Sequence, residues 1–261
     1  MNKKPEATST GAKALRRIHR SSESHWVGNG FPVRSVFDYN GLGRELSPFL
    51  LLDYAAPHPF LPDNERRGVG AHPHRGFETV TIAYQGELEH RDSSGGGGRI
   101  GPDDVQWMTA AGGIVHEEFH SVDFTRQGGT LEMVQLWVNL PAKFKSERPG
   151  YQTLLKADIP EVVLPGDAGL IRVIAGEFAG VRGPARTFTP ILLGDLRLHG
   201  GKSVRLSVPE GYTTAVLVRN GEVRFGESER ATEGDLAVFE RAGDTIEVCA
   251  GKHSGLLLLA G

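Results

Sequence analysis

Two short stretches carry the residue types that could do chemistry. The first is Gly70-Ala71-His72-Pro73-His74-Arg75-Gly76-Phe77-Glu78, and the second is Gly113-Ile114-Val115-His116-Glu117-Glu118-Phe119-His120. Each sets ligand-type side chains two residues apart. In an extended chain alternate residues share a face, so His72 and His74 project together, as do His116 and Glu118. If both stretches line one barrel interior, three neutral imidazoles and one carboxylate converge. That set suits a single divalent transition metal: Fe(II), Mn(II), Ni(II), Cu(II) or Zn(II). Parity separates the neighbouring acids, because Glu117 falls on the opposite face from His116. His120 shares the inward parity, which leaves open a role as supporting partner or alternative ligand without making it one of the four expected ligands.

Such a site needs strands to hold it, and the rest of the sequence reads as strands. Gly and Pro together occupy 50 of 261 positions, from 35 Gly and 15 Pro, which suits many short strands joined by tight turns. From Glu78 onward Val80, Ile82 and Tyr84 alternate with Thr79, Thr81 and Ala83, the pattern of a half-buried strand closed by Gly86. Leu131–Leu140 reads as a largely buried strand, and a weak helical signal lies around Ala142–Ser146. Ser93-Ser94-Gly95-Gly96-Gly97-Gly98 is followed by a turn rather than a helix, so it predicts a hairpin loop and not a phosphate cradle.

Three regions follow. Residues 1–24, whose first 20 positions carry six basic residues against the single acid Glu6, are expected as a disordered tail. Residues 25–145 form a first strand-rich lobe with the metal site, and residues 146–261 form a second. In the second lobe His199 and His253 each stand alone in sequence and are expected as surface or hydrogen-bonded residues. Cys249 beside Ile246 and Val248 is expected as a buried, inert thiol. A formal charge of −3 excludes generic attraction to nucleic acid. Without an apolar run of about 18 residues or an apolar leader, no membrane span or secretory signal is expected, and a cytoplasmic location is.

At these residues the sequence resembles the pirin family, a branch of the bicupins. The matching stretches are Ser47–Asp53, His72–Val80, Val105–Ala110 with Gly113–His116, and Gln135–Leu140. The resemblance runs from about residue 27 to the end. It implies an all-β fold of two antiparallel β-barrel (jelly-roll) lobes with a few short helices. The first barrel would hold one metal, usually iron, on His72, His74, His116 and Glu118, and the second would be metal-free. It also implies a quercetin 2,3-dioxygenase type of reaction, in which a flavonol ring is opened with O₂ and carbon monoxide is released, Glu118 serving as general base. A second implied role is regulatory: iron redox state would alter the surface shown to a transcription factor or metabolic enzyme. Another small-molecule oxygenation or isomerisation is a third, because one barrel serves many chemistries.

Overall fold

The computed structural model describes residues 11–21, 24–227 and 230–261. The chain forms two β lobes of matching plan, each a seven-stranded sheet facing a four-stranded one. In the first lobe the large sheet runs Gly150–Leu154, Val105–Thr109, Phe77–Gln85, Gly129–Asn139, Phe49–Phe60, Phe31–Phe37 and Ser24–Val27. Its small sheet runs Gly68–His74, Ile114–His120, Leu88–Asp92 and Gly97–Ile100. The second lobe repeats this with Leu15–Arg20, Asp235–Phe239, Thr214–Asn220, Ser254–Ala260, Leu192–Leu198, Gly169–Ala175 and Glu161–Leu164 opposite Lys202–Ser207, Thr245–Ala250, Glu222–Phe225 and Arg230–Thr232.

The large sheets are buried on both faces, which explains their continuous apolar runs. In Ser254–Ala260, Leu256 and Leu258 fill the second barrel while Leu257 and Leu259 enter a core shared by both lobes. Phe77–Gln85 corrects the half-buried expectation in the same way. Val80, Ile82 and Tyr84 pack between the lobes, and Thr79, Thr81 and Ala83 are also buried on the barrel side.

The lobes exchange pieces across the expected boundaries. Leu15–Arg20, placed by its charge in a disordered tail, is an edge strand of the second lobe's sheet, antiparallel to Asp235–Phe239. Leu15 and Ile18 pack on that lobe's core, and Arg16 and Arg17 both reach Glu45 of the first lobe, at 2.9 and 2.8 Å. The cations are spent on specific partners, which composition cannot reveal. The tail assignment for residues 1–10, 22 and 23 lies outside the described residues. Gly150–Leu154, assigned by sequence to the second lobe, pairs with Val105–Thr109 of the first.

Smaller expectations fare unevenly. The glycine loop does close a hairpin, with Asp92 Oδ1 accepting from the backbone of Ser94 at 2.8 Å and Gly96 at 3.0 Å. The weak helical signal becomes a single 3₁₀ turn, Ala142–Phe144. Among the described residues the α-helix is Val122–Gln127, started by Ser121, whose Oγ accepts from Phe124 N at 3.0 Å. Cys249 is half-buried, because Ile246 and Val248 take the inward parity and leave it facing outward, where Ser203 Oγ lies 3.2 Å from its sulfur. His199 and His253 are not alone: their rings meet edge-on at 5.7 Å.

A buried charged network ties the lobes. Arg219 of the second lobe donates to Glu132 of the first at 2.8 Å and to Asp195 at 3.3 Å, and its guanidinium lies 3.4 Å over the Tyr84 ring. Fully buried Arg172 lies 3.4 Å from Asp195 and donates to the Asp103 carbonyl. Burial alone would raise the Asp103 carboxyl, but Lys156, Arg197 and Arg172 hold it below the usual carboxylate range.

Arg219→Ala strands two buried carboxylates and is expected to cost about 3–5 kcal/mol by urea unfolding, whereas a loss below about 1 kcal/mol would show the network to be energetically idle. Asp103→Asn tests the same network through pH. A carboxyl whose folded-state pKa is depressed stabilises above its unfolded pKa of about 4 and loses that effect below the folded value. The variant should therefore unfold more easily than the parent at pH 7, and the two should converge on acidification.

Candidate metal centre

The two sequence stretches become neighbours in the small sheet of the first lobe. Gly68–His74 and Ile114–His120 pair antiparallel with His74 opposite Ile114 and His72 opposite His116. Pro73, which has no N–H to donate, sits on an edge strand where that loss is tolerated. A register shift follows between His116 and Glu118, placing Glu118 opposite Val69. Gly68 makes room there: a Cβ on it would lie 2.2 Å from the Glu118 carbonyl oxygen.

Parity holds along both strands. His116, Glu118 and His120 are buried, Glu117 is half-buried on the other face, and Ala71 and Pro73 are exposed on either side of half-buried His72. The ring centroids of His72 and His116 are 4.3 Å apart, and those of His74 and His116 are 4.8 Å apart. The ligating atoms of His72, His74 and His116 lie within 4.8 Å of one another. Those of His90, His116 and Glu118 form a second such group, so the two triads share His116. His72, His74 and Glu118 line one cavity of about 260 Å³, walled by Phe31, Val33, Met133 and Trp137.

His120 departs from the cluster. Its Nε2 donates to the Gly30 carbonyl at 2.9 Å and its ring packs edge-on against Phe31, Phe60 and Phe124. It supports the barrel end rather than the triads.

His90 is the residue that sequence reasoning missed. It lies on Leu88–Asp92, directly opposite Glu118, and is buried. Its Nε2 donates to Asp92 Oδ2 at 3.0 Å, so in the neutral ring Nδ1 is an acceptor. His116 Nδ1 lies 3.2 Å from that nitrogen and donates to it, which leaves the lone pair of His116 on Nε2. That Nε2 is buried with no hydrogen-bond partner. His72 is set similarly, its Nδ1 donating to the Gly70 carbonyl at 2.9 Å and leaving Nε2 free. The only available signal for His90 was its shared parity with Asp92 and Leu88, which names a face but not a neighbour.

The electrostatics agree with lone pairs kept available. Burial, then the neighbouring His116 and His72, push His74 down to about 4. Burial, then His72 and His90, push His116 down to about 3. Both rings are therefore neutral at physiological pH. Burial alone would raise Asp92, yet hydrogen bonds from Ser94, His90 and the backbone of Ser94 and Gly96 hold it below the usual range, as an ionised acceptor.

The carboxylate is fixed as firmly. Glu118 Oε1 accepts from Gln106 Nε2 at 2.7 Å, and Oε2 accepts from Gln135 Nε2 at 3.2 Å. Gln135 is oriented by Thr81, whose hydroxyl donates to its Oε1 at 2.6 Å, and Gln106 by Tyr151, whose hydroxyl donates to its Oε1 at 3.1 Å. Asp53, also lining the cavity, is raised above the usual carboxylate range by burial, against the hydrogen bond from Ser35. An orphaned buried imidazole nitrogen, beside two more histidines and an oriented carboxylate, is the donor set of a divalent transition metal. The residues present fit such an ion.

Because His90 and Asp92 set the tautomer of His116, His90→Phe and Asp92→Ala are each expected to weaken metal binding about 10–100-fold while leaving the fold intact. Titration with a competing chelator measures this, and undiminished affinity in both variants would remove the relay from the site.

The second lobe contrasts at the equivalent place. Its corresponding strands, Lys202–Ser207 and Thr245–Ala250, turn buried Val204, Leu206, Ile246 and Val248 inward. Comparison with known proteins follows the same division. The pirin family model matches residues 30–138, and the model of the pirin C-terminal cupin domain matches residues 193–261. A Pseudomonas aeruginosa protein named "Putative quercetin 2,3-dioxygenase" is 56% identical over 249 residues, 95% of this chain and 87% of that protein. The crystal structure of quercetin 2,3-dioxygenase from Acinetobacter baumannii superposes with a TM-score of 0.93 at 49% identity, covering 96% of this chain and 87% of the other. The Escherichia coli pirin YhhW, solved in complex with nickel(II), shares the fold at a TM-score of 0.70 and 19% identity, over 94% of this chain and 97% of that one. With the two family models spanning both lobes and relatives this similar along nearly the whole length, the chain belongs to the pirin family.

Proposed function

We propose that this chain is a metal-dependent dioxygenase of the quercetin 2,3-dioxygenase type, opening the central ring of a flavonol with O₂ and releasing carbon monoxide. The observation that carries this reading is the placement of the ligand cluster at the wall of an aromatic, largely apolar cavity of about 260 Å³. A site built only to store an ion would have no use for Trp137, Phe31 and Met133 beside it. The names of two relatives, from Pseudomonas aeruginosa and Acinetobacter baumannii, support the same reaction class.

On this reading His72, His74, His116 and Glu118 hold the metal, with Fe(II) as the native ion. When bound, the ion supplies Lewis-acid polarisation and a template for the reactants. The remaining work falls to side chains. Trp137, stacked on Phe77 at 4.4 Å and edge-on to His74 at 5.1 Å, presents a fixed aromatic surface to a planar substrate. Glu118, steadied by Gln106 and Gln135, takes the proton of the flavonol 3-hydroxyl. Buried Asp53 provides a second acceptor at the cavity wall.

Iron-loaded protein under air should consume quercetin with release of carbon monoxide, followed by loss of the flavonol absorbance and by gas analysis. No consumption with Fe, Mn, Ni or Cu would overturn the assignment. Glu118→Ala is expected to lower turnover about 10²–10⁴-fold. A variant with full metal content and full turnover would exclude Glu118 from proton transfer.

A second reading, a redox-sensing regulator, draws support from the outer face of the same strands. Exposed Pro73, between His72 and His74, pairs with Val115, which is 44% exposed and precedes His116. A change of one charge at the metal would act directly beneath this surface. Pull-downs with reduced and oxidised iron protein should then recover different partners, and identical recovery removes this reading.

A further inference from the structure

A second cavity, of about 360 Å³, opens where the two lobes meet and lies apart from the one holding the histidines. Its lining includes Thr109, Tyr151, Gln152 and Phe188 together with Arg148 and Arg186. No acidic residue lines it. Among the described residues neither guanidinium has a carboxylate within 4.0 Å, whereas Lys156 and Arg197, also near the lobe junction, both reach Asp103. Two cations lining one pocket without an acid among them favour an anion there.

The rest of the pocket is already in place. Gln152 clamps the backbone of Arg186 from both sides, its Nε2 donating to the Arg186 carbonyl at 3.0 Å and its Oε1 accepting from Arg186 N at 3.0 Å. This fixes where the guanidinium begins. Tyr151 is locked by stacking on His90 at 4.7 Å with planes 15° apart, and by its hydroxyl on Gln106. Phe188, 37% exposed, leans on Phe144 with ring centroids 4.9 Å apart. Planar guanidinium forks bind carboxylates in bidentate fashion, and two rigid aromatic side chains receive a flat body. A cavity of this size admits a small organic molecule.

We propose that this interlobe groove is a second ligand site, built for an aromatic carboxylate held by Arg148 and Arg186 against Tyr151 and Phe188. The site stands whether or not the metal cavity performs flavonol ring opening, since none of the four residues ligates the ion.

The probe is 1-naphthoate, which has no catechol with which to chelate iron, compared with its neutral analogue 1-naphthamide. Calorimetric titration of both metal-loaded and metal-free protein should give saturable one-to-one binding of naphthoate in each. Arg148→Ala and Arg186→Ala are expected to weaken it about tenfold apiece, and the amide should bind at least about tenfold more weakly than the acid. Both arginine side chains are exposed, so the variants should keep the parent's circular dichroism and metal content. Naphthoate binding that appears only with metal present would place the ligand on the ion and overturn the groove. Equal binding of acid and amide, or undiminished binding in the doubly substituted protein, would overturn it as well.

Discussion

Burial of the large sheets on both faces is the constraint from which the rest of this structure follows. A strand rises with successive side chains on opposite faces, so a sheet with a barrel on one side and a partner lobe on the other must satisfy two interiors from one sequence. Gly129–Asn139 shows the consequence. Val134, Leu136 and Val138 belong to the interlobe core, while Met133, Gln135 and Trp137 line the metal cavity. The residues that shape the site and those that dock the lobes are thus alternate members of one strand. A slip of one residue would destroy both at once.

The same geometry forces polar groups into places without water, and the protein answers by grouping them with opposite charges and hydrogen-bond partners. Between the lobes, Arg172 and Arg219 are matched by Asp103, Asp195 and Glu132. Inside the first barrel, Glu118 is matched by two glutamine amides, each held in turn by a hydroxyl. Among the buried atoms left without a partner, one lies inside the ligand cluster: the hydrogen bonds running from Asp92 through His90 to His116 leave Nε2 of His116 open. Such an atom is costly to bury unless something binds it. The two lobes share a plan but differ here, with Val204, Leu206, Ile246 and Val248 closing the second barrel with apolar contacts.

Family membership and function rest on different observations. The family is carried by matches along both lobes, whereas the proposed reaction rests on a small group of side chains around one cavity. The cavity's aromatic wall is the feature that supports the proposed organic substrate. Arg148 and Arg186 at the lobe junction lie outside that chemistry, in a groove shared with Tyr151 and Gln152 of the first lobe's edge strand and with Thr187 and Phe188.

The sequence by itself determined which residues of Gly70–His74 and Gly113–His120 face inward, because parity in an extended strand is a local property. It therefore selected His72, His74, His116 and Glu118 and set Glu117 aside, and its turn residues and alternating runs determined the β character of the chain. The tertiary structure decided everything that depends on which strands become neighbours. His90 joined the site through the pairing of Leu88–Asp92 with Ile114–His120, and His120 left it for Gly30 and an aromatic cluster. Leu15–Arg20 became a sheet edge because Asp235–Phe239, more than 200 residues away, had an edge to cover. Gly150–Leu154 crossed an expected boundary for the same reason, and Cys249 turned outward once its register was fixed. Side-chain direction is written in the order of residues along one strand, whereas partners are chosen by sheet pairing between segments that the sequence keeps far apart.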